Sequence, residues 1–272
     1  MPTGKRRILV DPRDWLINFI WAAINDAPGW ITIGLQNSEY VTGGNAWHHP
    51  SGLANRCLRA KQFAFIGMPS TDDSWGGKGT YAAFLGTASH KLFAHLVSNT
   101  DPIMDEFRAK YAEPLARIHS AEVTINEPNV PVLGTFDVDV IDYDDVDTVV
   151  DWKTVGNLPR DLKEDHAEQI LWYMYMKGRK RGSLMYISRI NGDHKRFDVD
   201  WATYRPLWEQ SAAEAEKVTI ATVNGVLADR TPPSRTDCPK CPFYTVCERT
   251  ENSGDESWRP LALAAVEELM AR

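Results

Sequence analysis

Alternation of apolar and polar positions is clearest over residues 134–153, GTFDVDVIDYDDVDTVVDWK. Phe136, Val138 and Val140 alternate with Asp137, Asp139 and Ile141, and a β-branched run at 148–150 ends in Asp151-Trp152-Lys153. This pattern predicts two strands joined by a tight acidic turn. Side chains two apart on a strand share a face, so Asp151 and Lys153 project together with Trp152 opposite. If the strands pair, Asp137 comes beside that couple, and carboxylates suit a hard divalent cation.

The rest of the chain reads mostly as helix. Asp11-Pro12 resembles a helix start, and Trp15, Leu16, Phe19, Ile20 and Ala23 then form an apolar face. Further helices are predicted over 51–65, 80–97, 105–118, 161–181, 201–227 and 260–271. A short strand is expected at 121–125, and 183–190 with 195–199 reads as a hairpin around Asn191-Gly192. Residues 31–41 fit a strand or irregular structure, and 69–79 a polar, Gly-rich loop. That loop contains Gly77-Lys78-Gly79-Thr80 but lacks P-loop spacing, which excludes a built-in nucleotide motor there.

At 272 residues the chain is long enough to bury a core, and 43% hydrophobic content with ten Trp predicts a folded globule. No stretch is long and apolar enough to span a bilayer and no secretory pattern is evident, so a cytoplasmic location is expected. The net charge of -7 is concentrated: residues 134–151 hold seven Asp and no Lys or Arg. A cation bound there would reverse the local field. Basic groups at 5–7, 56–61, 177–181 and 189–196 are either ordinary solvated surface or contacts to a phosphate backbone. Arg56, Arg59, Lys177, Arg179, Lys180 and Arg181 are the candidate DNA-binding residues.

Taken alone, each chemical signal is weak. Asp-x-Lys is common at solvated strand ends, and a lone helical His such as His90 more often serves packing than ligation. Gln169 and Tyr173 lie four apart on one helical face, one turn beyond Asp165 and His166. Cys238-x2-Cys241-x5-Cys247 forms a compact group, with Cys57 far upstream. Four thiolates fit a structural Zn2+ or an iron-sulfur cluster, and spacing does not separate the two.

In combination and order, these signals resemble the PD-(D/E)XK superfamily. Within it they resemble the RecB-type nucleases with an iron-sulfur staple, which include the CRISPR-associated Cas-four exonucleases, the AddB nuclease domain and phage-encoded relatives. Gly86-x-x-x-His90, Gly134-x-x-Asp137, Asp151-x-Lys153, Gln169-x-x-x-Tyr173 and the one-plus-three cysteines match that family's motifs in its order. The match covers about residues 51–247, and the first fifty carry none of these motifs.

The resemblance implies an α/β (α+β) fold: a central mixed β-sheet flanked by helices, a restriction-endonuclease-like core, and a helical lobe stapled by a four-cysteine cluster. It divides the chain into an N-terminal segment at 1–50, a nuclease domain at 51–250 and a C-terminal helix at 251–272. The core falls at about 80–200, and the iron-sulfur lobe is built from Cys57 and 232–250. His90, Asp137, Asp151 and the Trp152 backbone carbonyl would hold Mn2+ or Mg2+. The imidazole favours Mn2+. Lys153 would orient the attacking water, Gln169 and Tyr173 would position the strand or the lysine, and Asp139 shares a face with Asp137 as a possible second ligand.

The implied activity is a metal-dependent DNA exonuclease, acting on single strands 5′ to 3′, with endonuclease activity in some relatives. Cys57, Cys238, Cys241 and Cys247 would hold a 4Fe-4S cluster, with Zn2+ as the alternative. The implied setting is recombination, repair, phage replication or CRISPR adaptation in a bacterial or phage-infected cell. A helicase, a recombinase or CRISPR adaptation proteins are the corresponding partners. The rival reading is a non-catalytic DNA-binding or adaptor protein with a structural Zn2+ site and a merely solvated acidic turn.

Overall fold

A computed structural model describes residues 12–26, 46–53, 57–69, 86, 88–90, 93, 113, 116–127, 129–230 and 238–272. The Asp11 cap, the segment 31–41, the loop beyond Pro69, the basic group at 5–7 and Arg56 lie outside the described residues.

The acidic stretch forms the centre of a five-stranded sheet, ordered β1 (Ile118–Glu127), β2 (Val132–Ile141), β3 (Asp147–Val155), β4 (Arg181–Ser188) and β5 (His194–Asp200). Neighbouring strands are antiparallel except β3 and β4, which are parallel. A parallel pair needs a crossover, here supplied by a helix between them. The described helices are α1 (Trp15–Asp26), α2 (Pro50–Leu53), α3 (Leu58–Phe65), α4 (Glu164–Lys177), α5 (Trp201–Val223), α6 (Tyr244–Ser253) and α7 (Arg259–Met270). Gly86, residues 88–90 and Phe93 are also helical. This is the mixed sheet flanked by helices that the sequence predicts.

Strand alternation assigns the two faces. Val150, Trp152, Met185 and Ile187 pack on Leu16, Ile17, Phe19 and Ile20 of α1. Their neighbours Val149, Leu184 and Tyr186 pack instead under Ile170, Leu171 and Met174 of α4. Gly182 lets α4 settle close, because a Cβ there would meet Met174 Sδ at 2.7 Å and Ile170 Cδ1 at 2.9 Å. Gly178 ends the helix with a left-handed φ of 65°. Asp200 caps α5 by accepting from the Thr203 amide at 3.0 Å.

Three elements differ from the sequence reading. Phe136 packs with Tyr173 on the α4 side while Val138 and Val140 face α1, so strict alternation breaks at Asp137. The helix expected over 51–65 contains two helical pieces, with Cys57 at the extended N-cap position of α3. β1 spans Ile118–Glu127, longer than the predicted 121–125. Local propensity is weak in HSAEVTINE, and pairing with β2 extends the strand.

A further apolar cluster lies away from the sheet. Phe63, Phe65 and Ile66 at α3, Val218 of α5, Val246 of α6, and Trp258, Ala262 and Ala265 at α7 bury one another, with Cys57 and Cys241 packed at the margin. No described helix is long and apolar enough to cross a membrane.

Candidate active site

The paired register of β2 with β3 runs from Ile141–Asp147 to Val138–Val150. Asp137 and Asp151 are the next residues, at the point where that pairing ends. Asp137 is buried and uses both oxygens: Oδ2 accepts the Trp152 amide at 2.8 Å, and Oδ1 lies 2.9 Å from His90 Nδ1. Trp152 thus offers its amide to Asp137 while its indole is buried on the α1 side, edge-on to Phe93 at 5.3 Å. Phe93 lies one turn beyond His90, so this ring contact fixes the helical residues that deliver the imidazole. Gly86 lets them approach β3, since a Cβ there would stand 3.1 Å from Thr154 Oγ1.

Lys153 Nζ lies 2.7 Å from Asp151 Oδ2 and donates to Gln169 Oε1 at 2.8 Å. Gln169 in turn donates through Nε2 to the Tyr173 hydroxyl at 3.1 Å. Tyr173 packs so tightly on β2 that a Cβ at Gly134 would meet its Cε1, and Pro50, at 2.8 Å. Three sequence motifs therefore touch: the glycine before Asp137 carries the tyrosine that steadies the glutamine holding Lys153.

Asp151 Oδ2 is buried, and the Lys153 ammonium 2.7 Å away offsets its charge. Burial, and then the charge of Asp137, push the Asp151 carboxyl above its usual range against the pull of Lys153. Burial alone would lower the His90 imidazole, yet Asp137 beside it holds the ring above its ordinary value. Burial and the Asp151 charge push the Tyr173 phenol up, so its proton stays. Two neighbouring buried carboxylates form a donor set suited to a divalent cation.

Glu122 of β1 is a residue the sequence reading missed. Its carboxylate, a His90 ring nitrogen and an Asp137 oxygen lie within 4.8 Å of one another. His166, one turn before Gln169, stacks on Tyr186 and shares a 2.7 Å hydrogen bond with its hydroxyl. Burial pushes this imidazole down to about 4.

Much of the acidic run serves the fold instead. Asp139 is held by Arg179 at 2.8 and 3.0 Å with Lys177 at 3.5 Å, away from the role of second ligand. Asp142 pairs with Arg196, Asp144 with Arg181, Asp147 with Arg179 and Asp145 with Arg117. Lys177, Arg179 and Arg181 are thus engaged with acidic side chains, and Lys180 is exposed. Arg59 pairs with Glu251 at 2.5 Å and donates to the Ala228 carbonyl at 3.0 Å.

The four cysteines are unbridged and neighbour one another: burial raises the Cys241 thiol, and Cys57, Cys247 and Cys238 add to the shift. Arg59 Nη1 stands 3.9 Å from Cys247 Sγ, and Arg230 hydrogen-bonds to Cys238. Burial raises the Cys247 thiol as well, against the pull of Arg59.

The crystal structure of SSO0001 is similar at 16% identity, TM-score 0.44, over 85% of this chain and 95% of that one. LHK-Exo in complex with dAMP is similar at 14% identity, TM-score 0.38, over 64% and 89%. No curated protein sequence matches the chain. The sequence profile of the PD-(D/E)XK nuclease superfamily matches residues 100–248, more than half of the chain and the whole of the sheet with Asp137, Asp151 and Lys153. The chain belongs to the PD-(D/E)XK nuclease superfamily.

Proposed function

We propose that this nuclease is a divalent-metal-dependent exonuclease of the RecB-type, Cas-four-like branch, cutting single-stranded DNA from the 5′ end. The observation that carries the catalytic part is the Lys153 ammonium, fixed between Asp151 and Gln169 beside the Asp137–His90 pair. His90, Asp137, Asp151 and the Trp152 carbonyl are the residues that would hold Mn2+ or Mg2+. When bound, such a cation polarises the scissile phosphate and lowers the pKa of water at the site.

The side chains do the remainder. Lys153 donates to the incoming water and offsets negative charge developing on the phosphate. Gln169 holds that ammonium through its carbonyl, and Tyr173 fixes the amide by accepting from its nitrogen. Lys180 is exposed toward solvent for a DNA backbone, whereas Lys177, Arg179 and Arg181 would have to exchange an aspartate for a phosphate.

At the lobe, Cys57, Cys238, Cys241 and Cys247 are proposed to hold a 4Fe-4S cluster. Their lack of disulfides supports this reading, as do Arg59 and Arg230 beside Cys247 and Cys238, whose charges would offset that of a bound cluster. The proposed domain division follows: sheet and α4 as nuclease core, the cysteine lobe beside it.

End-labelled single-stranded DNA incubated with anaerobically purified protein, with Mn2+ or with EDTA, tests the reading. Degradation from the 5′ end is expected with Mn2+, none with EDTA, and at least about a hundredfold loss in Lys153→Ala with DNA binding retained. Binding without cleavage under every metal would sink the catalytic claim.

A further inference from the structure

Glu122 stands in β1 across from Asp137, between the paired positions Ala121–Val138 and Val123–Phe136. Its carboxylate reaches the same small volume as His90 and Asp137, all three within 4.8 Å. Its backbone takes φ 48°, a conformation costly for an L residue inside a strand. On the inner side of Asp137, the buried Asp151 carboxylate adds a second negative charge, offset by the Lys153 ammonium 2.7 Å from its Oδ2. A cation is the group that would relieve the repulsion among the Glu122, Asp137 and Asp151 carboxylates.

We propose that Glu122 is a direct ligand of a divalent cation on the β1 side of Asp137, shared with His90 and Asp137. This rests on the nuclease reading above and extends its set of metal-holding side chains from three to four. Three carboxylates with one imidazole make an O3N donor set that Mn2+ accepts more readily than Mg2+, which prefers oxygen alone. Because Glu122 is exposed and Asp151 buried, the cation is anchored from both the solvent side and the core side. The left-handed backbone at Glu122 then has a role: it turns an edge-strand carboxylate toward Asp137.

Mn2+ affinity, measured by calorimetry on the full chain without DNA, tests this directly. Glu122→Gln is isosteric and is expected to weaken Mn2+ binding about tenfold or more, with unchanged circular dichroism. Glu122→Gly provides the second variant, because glycine accepts the positive φ. It is expected to melt at a higher temperature than the parent without metal while also binding Mn2+ more weakly. Parental affinity in both variants, alongside a loss in Asp137→Asn, would overturn the role of Glu122 and leave the nuclease reading standing. Absence of Mn2+ binding by the parent protein would instead remove the metal site on which both rest.

Discussion

At the scale of single residues, buried polar groups set the chain's response to pH. His48 is 3% exposed, stacks on Phe65 at 4.3 Å, and contacts Thr219 Oγ1 at 3.1 Å. The Thr219 hydroxyl donates to the Ala215 carbonyl, so His48 Nε2 is the donor to Thr219. Burial, reinforced by Lys61, lowers the imidazole from 6.5 to about 3. A folded pKa below the unfolded one means that the unfolded chain binds the proton first. The stabilisation is therefore complete above pH 6.5 and is lost as pH falls toward 3. By pH 5 the loss is about 2 kcal/mol, which thermal melts at pH 7 and pH 5 would register. His48→Gln should flatten that dependence, and an unchanged slope in the variant would assign the acid sensitivity to other groups.

At the scale of elements, the motif glycines explain more than the motif acids do. Gly134 is where β2, α2 and α4 converge, and an added methyl would lie 2.8 Å from both Pro50 and Tyr173. Tyr173 is the end of the chain Lys153–Gln169–Tyr173, so displacing it moves the ammonium as well as the core. Gly134→Ala is expected to cost about 1–3 kcal/mol of stability by overpacking and to lower kcat more than DNA affinity. A variant with parental kcat and lowered stability alone would separate packing from positioning. Strands β2 to β5 and helices α4 and α5 were legible because alternation, β-branching and caps are local properties. The candidate site was legible as far as its residues recur at fixed spacing, from Gly86 to Tyr173. Glu122 was not, because nothing in HSAEVTINE marks it; its place depends on the register between β1 and β2. Counting as far back from the Glu127–Val132 pair as Asp137 lies forward reaches Glu122, but only once that hairpin is known. The ion pairs of the turn aspartates were not legible for the same reason: their arginine partners lie just before β1, on β4 and β5, and in the α4–β4 connection, outside the acidic run.

At the scale of the whole molecule, the chain is held at two centres of different chemistry. The sheet buries apolar side chains on both faces, whereas the lobe of α3, α6 and α7 gathers its own core beside the C-terminal half of α5. Arg272 adds a distant tie, its guanidinium 3.7 Å from the Trp47 ring centre and bonded to the Ala46 carbonyl. A centre shared by Cys57, Cys238, Cys241 and Cys247, as proposed, would link the start of α3 to residues roughly 180 positions on. Cross-linking a loop of that length removes unfolded-chain entropy worth up to about 5 kcal/mol, and a shared metal centre acts in the same direction. The lobe's apolar core is substantial, so it should still form without the cross-link, at lower stability. Anaerobically purified parent protein is expected to be brown with absorption near about 400 nm, and Cys57→Ser colourless with a melting temperature lower by about 5–10 °C. Protease should then cut first at the α6–α7 lobe, leaving the sheet intact. A colourless parent that contains zinc would replace the cluster with a Zn2+ staple while keeping the cross-link. A Cys57→Ser variant that melts with the parent would show that the apolar core alone holds the lobe in place.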